Sequence, residues 1–129
     1  MDTNVFVYVI TGHPEFGKAA KNILERVEKG EAAATSTLVL CEIAWVLEAM
    51  GKQGSIKPTL EKILSYETLE VVDFNADDLL IGANNMVSEN LDFNDGVNLA
   101  IMRRLGIAEI YSNDQKHLGR LEFVKLVFQ

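Results

Sequence analysis

The chain predicts an α/β fold: a three-layer α/β/α sandwich with a central, mostly parallel sheet. Two observations point there. Segments of helical periodicity alternate with short runs rich in β-branched residues, and such alternation calls for crossover connections between parallel strands. The 129 residues, 48% hydrophobic and 24% charged, suffice for one core but not two, so all segments are read as one domain over residues 1–129.

Taken in order, VFVYVI (5–10) is β-branched and aromatic, and by propensity alone reads as a strand. After His13 and Pro14, EFGKAAKNILERVEKGE sets Phe16, Ala19 or Ala20, Ile23, Leu24 and Val27 at helical spacing and stops at Gly30. AAATS leads into TLVLCEIAWVLEAMG, an apolar helix closed by Gly51. IKPTLEKILSYE follows as a helix with Leu60, Ile63 and Leu64 inward. TLEVVDF is the best strand. Two helices come next, NADDLLIGANNMVSEN and NDGVNLAIMRRLG, then strand AEIYS, a short turn around DQKHLGRL and a last strand, FVKLVF. Pro14 and Pro58 stand where helices can begin, and no repeat, low-complexity tract or linker interrupts the series.

No apolar run approaches the roughly 18 residues that span a bilayer. The start, MDTNVFVYVI, lacks the basic region and cleavage site of a signal peptide, so a cytoplasmic location is expected. Cys41 is the only cysteine, which leaves oxygen and histidine as metal ligands. The net charge of -7 argues at first against nucleic acid. Residues 63–102, however, hold eight acids and no Lys or Arg, leaving 12 bases against 11 acids (19 − 8) elsewhere. Most of those acids read as a solvated helix face; an acidic pocket filled by divalent cations accounts for the rest and can accept phosphate. Lys18, Lys21, Arg103, Arg104, Lys116 and Arg120 are the bases available to RNA.

Glu42 is the most informative residue. Its helical neighbours Leu38, Val39, Trp45 and Val46 are apolar, so its carboxylate needs a metal or a partner such as a lysine at the core's rim. Asp95 falls in the first turn of a helix that Asp92 or Asn94 can cap, Asp114 ends a strand, and Asp2 stands in DTN at the N-terminus. Such places converge outside the carboxyl ends of a parallel sheet. Cys41 and Trp45 read as core, and His13 and His117 as surface histidines rather than a catalytic pair.

DTNVFVY, the Glu of TLVLCEIAWVL, FNDGVNLAIMRRLGI and EIYSND, in that order and spacing, resemble the PIN-domain ribonucleases, in particular VapC-like toxins of toxin-antitoxin pairs. The resemblance covers nearly the whole chain. It implies a PIN-like fold and a helix at VFVYVI, with the first strand before the aspartate. It places the catalytic acids at Asp2, Glu42, Asp95 and Asp114 and auxiliary polar positions at Asn4 and Ser112; Asp2, Asp95 and Asp114 are assigned as metal ligands, Glu42 as binding a second ion or orienting the attacking water, and Asp92, the candidate cap, as support. It further implies Mg²⁺ or Mn²⁺, an RNA substrate, a cognate antitoxin and a homodimer, for which the helix carrying Trp45 and Met50 and the smaller one after it offer a face. Two departures stand out. Almost no residues precede Asp2, so an upstream segment is expected to supply the central strand, and His117, Leu118 and Gly119 replace a Phe-Asp pair of many relatives.

Hard cations prefer oxygen ligands and are held by a few carboxylates plus substrate phosphate; they activate water for in-line displacement, leaving a 5′ phosphate and a 3′ hydroxyl. Two other readings remain: a nuclease of RNA processing, and a non-catalytic module that grips a basic partner in its acidic cleft.

Overall fold

A computed structural model describes residues 1–122 and 124–129. Helix α1 (Thr3–Thr11) is made of the very residues whose propensity favours a strand. Its ends decide the conflict. Asp2 accepts a hydrogen bond from the Thr3 N–H at 2.7 Å, and Gly12 closes the helix in the left-handed region (φ 62°), its N–H donating to the Tyr8 and Val9 carbonyls. Between the caps Val5 and Phe6 are buried, each contributing roughly 2–3 kcal/mol.

Helix α2 (Gly17–Glu28) buries Ala20, Ile23 and Val27, as its periodicity requires. AAATS, expected only to lead into a helix, forms strand β1 (Ala33–Ser36), which pairs in parallel with β2 (Leu69–Val72) in register Ala33↔Leu69 to Ser36↔Val72. Alanine carries little strand propensity; here the ladder and the burial of Thr35 and Ser36 hold the segment extended. Ser36 then caps α3 (Thr37–Ala49) by accepting from the Val39 N–H.

Two expectations about α3 and α4 (Ile56–Leu64) are corrected. Trp45, read as core, is 54% exposed and Cys41 half-buried, because α3 turns Leu38, Val39, Ile43 and Leu47 inward and is apolar on its other side as well. On α4 Ile63 is buried, but Leu64 is 58% exposed.

Helix α5 (Ala76–Glu89) starts with a capping box between Asn75 and Asp78, and α6 (Phe93–Leu105) is capped by Asp92 and closed by Gly106. The two helices touch at glycines: a Cβ on Gly96 would stand 2.5 Å from the Gly82 carbonyl oxygen, and one on Gly82 2.5 Å from Val97 Cγ2. Strands β3 (Glu109–Tyr111) and β4 (Lys125–Val127) pair in parallel, the expected final strand being realised from Lys125 on, while Phe123 lies outside the described residues.

The strands thus form two parallel pairs, with Met1 and Asp2 lodged between them. The Met1 amine donates to the Ala34 carbonyl at 2.7 Å, Thr35 Oγ1 to the Met1 carbonyl, and the Asp2 N–H to the Tyr111 carbonyl at 2.9 Å. These bonds fasten Asp2 between β1 and β3 beside a cavity of about 440 Å³. One apolar cluster joins α1–α4 to β2, another joins α6, β3 and Leu118, Leu121 and Val124, and Leu38, Val97 and Ile101 link α3 to α6.

Candidate metal centre

The N-terminus of α1 and the end of β3 are tied by side chains. Asp2 Oδ2 accepts from Ser112 Oγ at 2.7 Å and from Asn4 Nδ2 at 3.5 Å, while Asn4 Nδ2 also donates to Ser112 Oγ at 3.1 Å. Ser112 Oγ in turn accepts from the Asp114 N–H at 3.1 Å, so one fully buried hydroxyl positions two acids. Asp95 arrives from the first turn of α6, its N–H donating to Asp92 Oδ1 at 2.8 Å. Glu42, one helical turn beyond Leu38, meets Asn98 Nδ2 at 3.5 Å, and Asn98 Oδ1 accepts from Ser36 Oγ at 3.3 Å. The partner of Glu42 is therefore an amide of α6 rather than a lysine.

The acids feel one another. Asp95 is pushed up to about 7, first by burial and then by the charges of Asp92, Asp2, Asp114 and Glu42. Glu42 is also pushed up to about 7, by burial first and then by Asp2, with the Asn98 hydrogen bond opposing. Burial raises Asp2 as well, against the bonds from Ser112 and Thr3. Carboxylates from four separate segments thus crowd one negative region, and like charges brought together at the cost of protonation are what a divalent cation relieves.

The donor set fits such an ion. Carboxylate, amide and hydroxyl oxygens are hard ligands. Asn4 Oδ1, beside Asp2 and Ser112, is buried without a hydrogen-bond partner among the described residues. Thr3 Oγ1 is buried beside Glu42, and its hydroxyl opposes the rise of the Glu42 carboxyl by hydrogen bonding. Ligand atoms of Asp95, Asp114 and His117 all lie within 4.8 Å of one another. Asp2 is not in that tight group, its two oxygens being turned to the Thr3 N–H and the Ser112 hydroxyl.

The family profile of the PIN domain matches residues 1–124. The chain belongs to the PIN-domain family. It is 34% identical over 76 residues to Ribonuclease VapC2 of Rickettsia felis, a match covering 59% of this chain and 53% of that relative. The chain therefore matches about half of that relative's length. Among solved structures it resembles Rickettsia felis VapBC2 bound to a promoter DNA fragment, with a TM-score of 0.72, 24% identity and coverage of 98% of this chain and 94% of that one. It also resembles VapC20 of Mycobacterium tuberculosis, a toxin that cleaves the sarcin-ricin loop (TM-score 0.76, 21% identity, 90% and 89% covered). A Klebsiella pneumoniae toxin-antitoxin complex aligns at 0.69 with 17% identity over 96% and 92% of the two chains. At these identities the structures establish a shared fold.

Within this PIN domain Asp2, Glu42, Asp95 and Asp114 face one region, with Asn4, Ser112 and Asp92 bonded to its acids. Sequence reading missed three contributors. Asn98 carried a signal, a polar residue one turn after Asp95 in an otherwise apolar stretch. Ser36 gave none, and His117, read as a surface histidine, is 43% exposed and also contacts Asp114. Several bases considered for RNA are engaged elsewhere: Arg104 pairs with Asp78 at 2.8 Å, Arg103 bonds Asn85 and Glu89, and Arg120 bonds the Glu89 and Asn90 carbonyls. The outer face of α5 leaves Leu80, Ile81 and Val87 exposed. No helix among the described residues is long and apolar enough to cross a membrane.

Proposed function

We propose that this PIN domain is a divalent-metal-dependent endoribonuclease, the toxin of a VapBC-type pair. The observation that carries the reading is the electrostatic coupling of Asp2, Glu42, Asp95 and Asp114, brought from four separate segments into one region. Similarity to Ribonuclease VapC2 supports the substrate class, and the toxin-antitoxin neighbours support an antitoxin partner.

In this reading Asp95 and Asp114 hold Mg²⁺ or Mn²⁺ directly, and Asp2, fixed by Ser112 and Thr3, completes the oxygen set. A cation held there supplies charge to activate water and to stabilise the departing oxygen. Glu42, oriented by Asn98, would take the proton of the attacking water. The water oxygen bonds to phosphorus, the P–O3′ bond breaks with its electron pair going to O3′, which takes a proton from solvent water, and the products carry a 5′ phosphate and a 3′ hydroxyl. A basic antitoxin segment laid across the acids neutralises the charge that the cation otherwise balances. Exposed Trp45, Met50 and Leu64 form the face of a homodimer, and the protein works in the cytoplasm.

The test is cleavage of RNA in Mn²⁺ or Mg²⁺, with EDTA and with Asp95→Asn. EDTA stops cleavage, and Asp95→Asn abolishes it with the circular dichroism spectrum unchanged. Cleavage that persists in EDTA contradicts the proposal, and metal-independent binding of a basic partner without cleavage favours the non-catalytic alternative.

A further inference from the structure

Next to the acids stands a group that differs in kind. His117 lies in the turn after β3, its N–H donating to Asp114 Oδ1 at 3.0 Å and its ring Nδ1 at 3.1 and 3.2 Å from the two Asp114 oxygens. The turn is anchored on both sides of the ring. Leu118 and Leu121 are buried against α6 and β3, and Gly119 is seated so closely on Gln115 that a Cβ would stand 2.9 Å from the Gln115 backbone. The imidazole is held over Asp114 yet 43% exposed, so that an ion or water can reach it. Its ligand atom and those of Asp95 and Asp114 fall within 4.8 Å of one another, a separation that one ion can bridge. The buried Asn4 Oδ1, without a hydrogen-bond partner among the described residues, marks a polar centre left incomplete by the protein's own atoms.

We infer that His117 supplies a nitrogen ligand to this centre, and that the mixed nitrogen and oxygen set favours first-row transition ions such as Mn²⁺ over Mg²⁺. The inference rests on the metal-centre reading above and adds to it. Mg²⁺ keeps an oxygen shell and gains little from imidazole, whereas transition ions gain increasingly from nitrogen donors. A histidine that merely orients Asp114 would serve both ions alike. Ligation therefore separates from positioning through selectivity.

The experiment measures Mn²⁺ and Mg²⁺ binding to the intact protein by calorimetry, and ¹⁴N couplings of bound Mn²⁺ by pulsed electron paramagnetic resonance. His117→Ala, His117→Asp, His13→Ala and Asp95→Asn are compared with the unsubstituted chain. The expected result is an imidazole coupling lost in His117→Ala and kept in His13→Ala. Mn²⁺ affinity falls about tenfold in His117→Ala while Mg²⁺ affinity changes less than about threefold. His117→Asp, which restores a donor, shifts selectivity back toward Mg²⁺ and serves as control if His117→Ala unfolds. Absence of the coupling in the unsubstituted chain, or a parallel fall for both ions, overturns the inference while Asp95→Asn still reports on the acidic centre. Failure of both ions to bind the unsubstituted chain overturns the centre itself.

Discussion

Acidifying the solution from pH 8 to pH 6 should release the divalent cation, by an amount the site's own acids set. Glu42 and Asp95 each sit at about 7 without metal, raised by burial and by neighbouring carboxylates. Each is then about nine-tenths protonated at pH 6 and about one-tenth at pH 8. An ion that needs both ionised loses about tenfold per group, a ceiling of ~100-fold. Solvent at the open side screens part of each shift, so a loss of at least about tenfold is expected. Calorimetric titration with Mn²⁺ in two buffers of different ionisation enthalpy gives both the affinity and the protons released, which approach roughly two at pH 6 and near zero at pH 8. Glu42→Gln removes one titrating group and lowers the ceiling to about tenfold. An affinity that is the same at pH 6 and pH 8, with no proton release at pH 6, would refute the reasoning.

The same two acids make the metal-free protein less stable in alkali. Their folded pKa values lie above the ordinary ones, so the stability they add is full below about pH 4 and is lost as pH rises through about 7; in EDTA the melting temperature should fall from pH 5 to pH 8, and added Mn²⁺ should restore it most at pH 8. Gly96→Ala drives a methyl toward the Gly82 carbonyl and displaces the first turn of α6 that carries Asp95; a stability loss of about 1–3 kcal/mol by urea denaturation is expected, with weaker Mn²⁺ binding. Asp78→Ala removes the capping box of α5 and leaves Arg104 without its carboxylate; the Asp78 side chain is only 3% exposed, and a loss of about 2–4 kcal/mol is expected without change in metal affinity.

Glu42 was legible because an acid ringed by Leu38, Val39 and Val46 needs a reason to be there, and burial is written into local periodicity. Asp2 and Asp114 were legible only as members of an ordered pattern, since the Ser112 hydroxyl that joins them acts across 110 residues. Strand β1 escaped because its stability comes from the ladder with β2, 36 residues away, and not from its alanines. Helix α1 shows the converse, a strand-like composition overruled by caps at Asp2 and Gly12 and by the packing of Val5 and Phe6. Trp45 was misread because an apolar helix does not announce which side faces the core. The contact of His117 with Asp114 was not legible because only the folded turn after β3 sets the ring there.

The central claim is that carboxylates distant in sequence bind one divalent centre. Anomalous diffraction from crystals grown with Mn²⁺ tests it most directly. An anomalous peak is expected within roughly 2.5 Å of carboxylate oxygens of both Asp95 and Asp114, with Asp2 at its edge and Glu42 within reach of its water. A peak elsewhere on the protein, or none at saturating Mn²⁺ and pH 8, would contradict it.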